Sequence, residues 1–210
     1  MRRPIAVTGA GRTDAGVHAK QMFAHFDSAE EVDTKELLFR LNSYLPEDIA
    51  IASIRRVASD AHARFDAMER TYEYWIVQHK NPFYFDSAHY VTKLLNVSAM
   101  NEGAQILKEY NDFECFSKSH TDVKTFICDL RKAVWRNDGD KLVFTISADR
   151  FLRNMVRAIV GTLLEVGIDK KKPSEIRTII ESNDRGKAGA SVPAKGLYLT
   201  KVKYPETIFE

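Results

Sequence analysis

Three short segments carry the residue types from which a reaction site can be built. The first is Gly9-Ala10-Gly11-Arg12-Thr13-Asp14-Ala15-Gly16-Val17-His18-Ala19. Its glycines allow tight turns and close approach of a ligand to the backbone. The spacing fails the dinucleotide-binding pattern, because the third glycine falls two positions late, and the Gly-Lys-Ser/Thr of a phosphate loop is missing. What the loop displays is one carboxylate, Asp14, beside Arg12. Two readings stand for it: a reactive carboxylate oriented by an arginine, or an Asx-turn or helix cap.

The second segment is Arg70-Thr71-Tyr72-Glu73-Tyr74-Trp75. On a strand, Tyr72 and Tyr74 share one face. A tyrosine ring there can stack on a nucleobase or belong to a sheet core as one of a cross-strand aromatic pair. The third is Arg150-Phe151-Leu152-Arg153-Asn154-Met155-Val156-Arg157. Spacings of three and four put Arg150, Arg153 and Arg157 near one stripe of a helix, either a phosphate contact or a solvated face. Arg157 differs from the other two because it is embedded in Met155-Val156-Arg157-Ala158-Ile159-Val160. A partly buried arginine needs an anionic partner, since unpaired burial is costly.

These pieces can be joined into one site: a carboxylate on a loop, an arginine in an apolar setting and a tyrosine on a strand. The sequence has no HExxH, no zinc-deaminase pattern and no clear carboxylate cluster for magnesium. The expected chemistry therefore runs on Asp14 with no metal and no organic cofactor.

The elements that must position these residues follow from periodicity. Met22 to Phe26, Ile49 to Val57, Thr71 to Val77, Thr125 to Arg136, Lys141 to Ser147 and Leu197 to Tyr204 read as strands. Asn137-Asp138-Gly139-Asp140 is a hairpin signal between two of them. Leu37, Leu38, Leu41 and Leu45 recur at helical spacing behind Thr34 as the cap, with Pro46 as the stop. Further helices are expected after a Ser98 cap, over Phe151 to Val166, and from Pro173-Ser174. The order predicts an α+β fold of two similar α/β units with largely antiparallel sheets flanked by helices and an active-site cleft between them. The division is placed at residues 1–66, carrying the glycine-rich loop, and 67–210, carrying the arginine-rich helix.

Composition sets the outer bounds. The chain has 210 residues, 44% hydrophobic and 29% charged, with a formal net charge of +2. Such values exclude collagen, coiled coil or long disorder as the dominant class. No run of eighteen apolar residues exists for a membrane span. The apolar stretch behind Met1-Arg2-Arg3 is too short for a signal-peptide core. Cys115 and Cys128 form no CxxC pair, which reads as free thiols in a reducing cytoplasm. The near-neutral balance neither requires nor forbids a nucleic-acid partner, but the window 148–172 is basic.

Taken together, the motifs resemble the TruA family of tRNA pseudouridine synthases. Gly11-Arg12-Thr13-Asp14-Ala15-Gly16-Val17-His18-Ala19 is similar to its catalytic loop, and Arg70-Thr71-Tyr72 resembles its Arg-x-Tyr element. Phe151 to Gly161 resembles its third motif, while Asn111-Asp112-Phe113-Glu114-Cys115-Phe116 and Pro193-Ala194-Lys195-Gly196-Leu197-Tyr198-Leu199 look like further family segments. They come in family order over essentially the whole chain. The resemblance implies a cofactor-free isomerase that converts uridine to pseudouridine at positions 38 to 40 of the tRNA anticodon stem-loop. It implies Asp14 as the catalytic carboxylate and Arg157 as its partner. Arg12 would open the duplex and fill the vacated place, Tyr72 would stack on the target uracil, and Arg70 and Arg153 would join them in binding substrate. A cytoplasmic homodimer spanned by the RNA is likewise implied.

The resemblance also implies a leading strand and helix before the glycine-rich loop, with an Ala-Tyr-Asp-Gly-type segment. The chain begins only a few residues before that loop. The expectation is an open edge in the first sheet and impaired stability or RNA binding, which a melt beside a version carrying that segment tests. Two other readings of the residues remain: a non-catalytic RNA-binding protein, and a small-molecule hydrolase using Asp14. The missing metal set and the lack of a clear histidine partner weigh against the hydrolase.

Overall fold

The computed structural model describes residues 4–118 and 123–210; the basic Met1-Arg2-Arg3 stretch lies outside them. The chain divides into two compact units that do not follow sequence order. The smaller holds the described residues up to Gly11 with Phe23–Ala67 and Tyr204–Glu210; the larger holds Arg12–Met22 and Met68–Lys203. The glycine-rich loop from Arg12 onward thus packs with the larger unit, not with the residues flanking it in sequence.

The smaller unit pairs β1 (Thr8–Gly9) antiparallel with β3 (Ala24–His25) and carries helix α1 (Thr34–Tyr44). The α1 cap is Asp33, whose carboxylate accepts from the Lys35 and Glu36 amides, and not the expected Thr34. The strand expected over Ile49 to Val57 does not form; only Val57 makes a bridge, to Phe209. A side chain has taken the place of a neighbouring strand there: Asn42 accepts from the Ile51 amide at 2.7 Å and donates to its carbonyl at 2.9 Å. The β-branched pattern was present, but the backbone found another partner.

The larger unit is a mixed sheet. Its path runs β2 (His18–Ala19), β8 (Leu197–Lys203), β4 (Glu69–Val77), β7 (Lys141–Ala148) and β6 (Leu130–Asp138), with β5 (His89–Tyr90) also on β4. The long pairings are antiparallel, while β2–β8 and β4–β5 are short parallel ones. The expected hairpin joins β6 to β7, and Gly139 takes the positive φ of 57° that its turn requires. Helices α2 (Val97–Leu107), α3 (Met155–Gly167) and α4 (Glu175–Glu181) supply side chains to the core. The α2 cap is Asn96, not Ser98, because the Asn96 side chain reaches the Ala99 amide.

One sheet face builds that core. Tyr74 and Ile76 of β4 and Phe144 and Ile146 of β7 bury against Met100, Ala104 and Leu107 of α2, Ile159 and Leu163 of α3 and Ile176 of α4. Each fully buried large apolar side chain contributes about 1.5–3 kcal/mol. Helix α3 is apolar nearly all round, with ten of its thirteen residues buried, as expected of a helix inside a core. The α+β class is as expected. Among the described residues no helix is long and apolar enough to cross a membrane.

Candidate active site

The helix expected over Phe151 to Val166 begins only at Met155. Asn154 sits in the left-handed region at φ 67°, which stops the helix from extending toward its N-terminus. Arg150 and Arg153 therefore precede α3, and the three-arginine helical stripe does not exist; Arg157 alone lies in the helix, in its first turn. The Asn154 amide donates to Ser191 Oγ, which also accepts from Arg185 Nη2 at 2.9 Å. This network ties the start of α3 to the segment Gly189–Val192.

The same segment anchors Arg157. Its Nε donates to the Val192 carbonyl at 2.7 Å, and the Val192 amide donates back to the Arg157 carbonyl at 3.2 Å. The approach is close because α3 carries Gly161: a Cβ there would lie 1.8 Å from the Ala190 carbonyl oxygen. Gly189 also packs on the helix backbone, where a Cβ would lie 2.7 Å from the Thr162 amide nitrogen, and its own amide donates to Thr162 Oγ1 at 2.8 Å. With Nε occupied, the Nη edge of the guanidinium is held in one orientation.

That edge meets Asp14. Arg157 Nη1 donates to Asp14 Oδ2 at 2.7 Å, with the two side chains 20% and 32% exposed. Asp14 is not a helix cap; its backbone opens a turn closed by the Val17 amide on the Asp14 carbonyl at 3.2 Å. Gly16 takes φ 81° at the third position of that turn, a conformation that favours glycine. Behind the turn, β2 pairs with β8 and the His18 ring stacks on Tyr198 at 4.6 Å. The carboxylate is thereby fixed from both ends, partly open to solvent.

Tyr72 lies on the β4 face that carries Tyr74, and Phe151 contacts its ring edge-on at 5.2 Å. Burial pushes the Tyr72 hydroxyl above its ordinary value; Arg70 opposes this and the Asp14 charge adds to it. The charges of Arg70 and Asp14 therefore both reach the Tyr72 hydroxyl. Tyr74 is fully buried, and its hydroxyl donates to the Pro193 carbonyl at 2.9 Å, next to the anchor of Arg157. Arg70 donates to the Asp149 carbonyl at 2.9 Å. Arg12 and Arg153 are exposed. In the basic window 148–172, Lys170 and Lys171 both pair with Glu165.

The structure brings together Asp14, Arg157 and Tyr72 with Arg70 beside them, and leaves Arg12 and Arg153 at the surface. The motif reading missed the Gly189–Val192 support. A glycine inside an otherwise apolar helical run, Gly161, was the available signal for it. Fold and site together define an α+β protein built around one arginine-paired carboxylate next to a partly buried tyrosine.

Comparison with known proteins narrows the class. A family model described as tRNA pseudouridine synthase matches residues 105–205. The chain is 52% identical to the tRNA pseudouridine synthase A of Parabacteroides distasonis, over 100% of this chain and 83% of that protein. It is 53% identical to the protein of the same name from Bacteroides thetaiotaomicron, over 100% of this chain and 79% of the relative. The one from Geobacillus kaustophilus is 36% identical over 96% of this chain and 79% of its own length. The chain belongs to the tRNA pseudouridine synthase family.

Proposed function

We propose that the chain isomerises uridine to pseudouridine in tRNA, at positions 38 to 40 of the anticodon stem-loop, with Asp14 as the catalytic carboxylate. The observation that carries this reading is the 2.7 Å pair between Arg157 Nη1 and Asp14 Oδ2 beside Tyr72. The family membership supports tRNA as the substrate. In the reaction the N1–C1′ bond breaks, the uracil turns, a C5–C1′ bond forms, C5 loses its proton and N1 ends protonated. Atoms and electrons balance without a redox partner.

The residues divide the work. A base inside a stem must be extruded before it can be reached. Arg12, exposed two residues before Asp14, enters the space that the base leaves, a role suited to a planar guanidinium. Tyr72 stacks on the extruded uracil. Arg153 contacts phosphate, and Arg70 joins it in holding the substrate strand. Asp14 acts at the ribose, as nucleophile at C1′ or as base toward the adjacent C–H; a deuterium isotope effect at C2′ separates the two routes. Arg157 leaves Oδ1 of Asp14 for the substrate while fixing Oδ2. The enzyme works as a cytoplasmic homodimer with the RNA spanning both copies.

The test is pseudouridine formation on unmodified tRNA with uridines at positions 38 to 40, for wild type and Asp14→Ala in parallel. Product from wild type alone is expected. Binding of tRNA without product from either protein would overturn the catalytic reading in favour of a non-catalytic RNA-binding protein.

A further inference from the structure

In the smaller unit, Phe65 is 74% exposed. A single exposed aromatic is ordinary, but this one does not sit on a loose loop tip. Its ring lies 4.2 Å from the His62 ring, tilted by 30°, and the His25 ring meets His62 at 4.7 Å and 61°. The loop is closed on itself by those imidazoles. His62 Nδ1 accepts from the Arg64 and Phe65 amides at 3.1 and 3.3 Å, and His25 Nδ1 accepts from the Ala63 amide at 3.1 Å. The His62 amide donates to the Asp66 carboxylate at 2.6 Å, and the Tyr204 hydroxyl donates to the Ala63 carbonyl at 2.5 Å. The Arg64 guanidinium lies 5.7 Å from the Phe65 ring centroid.

These contacts hold a phenyl ring outward on a pinned backbone, with an imidazole behind it and a guanidinium beside it. We infer that Phe65 is a stacking site for an unpaired nucleotide of the RNA substrate, with Arg64 contacting the same nucleotide's base or phosphate. The inference rests on the RNA-modifying reading above. Every base offers a π face, so such a contact is tolerant of sequence. A ring already ordered by His62 loses little further freedom on binding. Arginine suits both the stacked and the phosphate contact.

The test is the affinity of the full chain for unmodified tRNA, measured for wild type, Phe65→Ala, Phe65→Leu and Phe65→Trp, with kcat and KM for pseudouridine formation. Base stacking on an aromatic ring predicts about 5- to 100-fold weaker binding for Ala and Leu, near-wild-type binding for Trp, and a greater loss in KM than in kcat. Leu binding as tightly as wild type would show that apolar volume suffices and would overturn the proposal. So would unchanged affinity in Ala, or an effect confined to melting temperature or oligomeric state, which would make Phe65 a packing or subunit contact. If wild type makes no pseudouridine but binds tRNA in a Phe65-dependent way, the stacking site stands and the catalytic reading falls. If wild type does not bind tRNA, both fall.

Discussion

Arg157 Nη1 donates to Asp14 Oδ2 at 2.7 Å across 143 residues of sequence. The same guanidinium uses Nε on the Val192 carbonyl, so its two contacts lie on separate segments. Lysine cannot make both, because it lacks the planar fork. With both partners about a third exposed or less, the pair matters chiefly as a positioning device. Removing either partner leaves a partly desolvated charge.

Asp14→Ala and Asp14→Asn are expected to reduce the rate of pseudouridine formation by at least about 10²–10⁴-fold, the range for loss of a group that acts on a proton or bond in the transition state. Affinity for tRNA should stay within a few-fold of wild type. Single-turnover assays beside a binding isotherm check both.

Tyr72→Ala should weaken tRNA binding, whereas Tyr72→Phe should keep it, because the ring provides the stacking face. Since burial raises the Tyr72 hydroxyl above its ordinary value, the group stays protonated at neutral pH. The pH–rate profile should therefore show no limb from a Tyr72 phenolate between pH 6 and about 9. Equal affinities for Ala and Phe would refute the stacking role.

Gly161→Ala places a methyl 1.8 Å from the Ala190 carbonyl oxygen, a backbone atom that cannot swing away. Despite alanine's higher helix propensity, the variant should lose about 1–3 kcal/mol or more and misplace the Val192 carbonyl that anchors Arg157. Gly103→Ala is the comparison: its new methyl meets side chains rather than backbone, the end of Leu163 at 3.1 Å and Ile176 Cγ1 at 3.4 Å. Urea unfolding should rank Gly161→Ala well below Gly103→Ala.

Glu69 is held below its ordinary carboxyl value, first by hydrogen bonding from Lys203, with Arg131 assisting against the cost of burial. A depressed folded-state value contributes stability above the unfolded value near 4.5, and that stability is lost as pH falls through the folded value. Glu69→Gln should therefore destabilise the protein at pH 7, and the gap from wild type should shrink as the pH drops below about 4.5. A constant gap down to pH 3 would remove the ion pairs as its cause.

Burial pushes the Cys115 thiol up to about 12 and the Cys128 thiol up to about 11. The thiolate is the reactive form, so at pH 8 neither should react with a disulfide reagent on the timescale of the native fold. Both should react at once in denaturant, where the ordinary value near 8.5 returns. Rapid labelling of the native chain would mean that the α2–α3 core opens.

The sequence by itself determined much of the chemistry and the local grammar. The glycine-rich loop displaying Asp14, the arginine in an apolar run that demanded an anion, the Asp-Gly hairpin and the strand over Tyr72 all follow from residue type and spacing, which act within a few residues. What acts at distance did not follow. Ile49 to Val57 has strand composition, yet Asn42 takes the backbone of Ile51, and no local pattern announces that choice. The arginine stripe failed for a related reason: a left-handed Asn154, held to Ser191, delays the helix until Met155 and separates Arg150 and Arg153 from Arg157. Only the tertiary structure decided the geometry in which Asp14 meets Arg157, and that residues 189–192 orient the guanidinium. Those contacts are set by how closely α3 can approach another backbone, and that distance depends on the absence of a Cβ at Gly161.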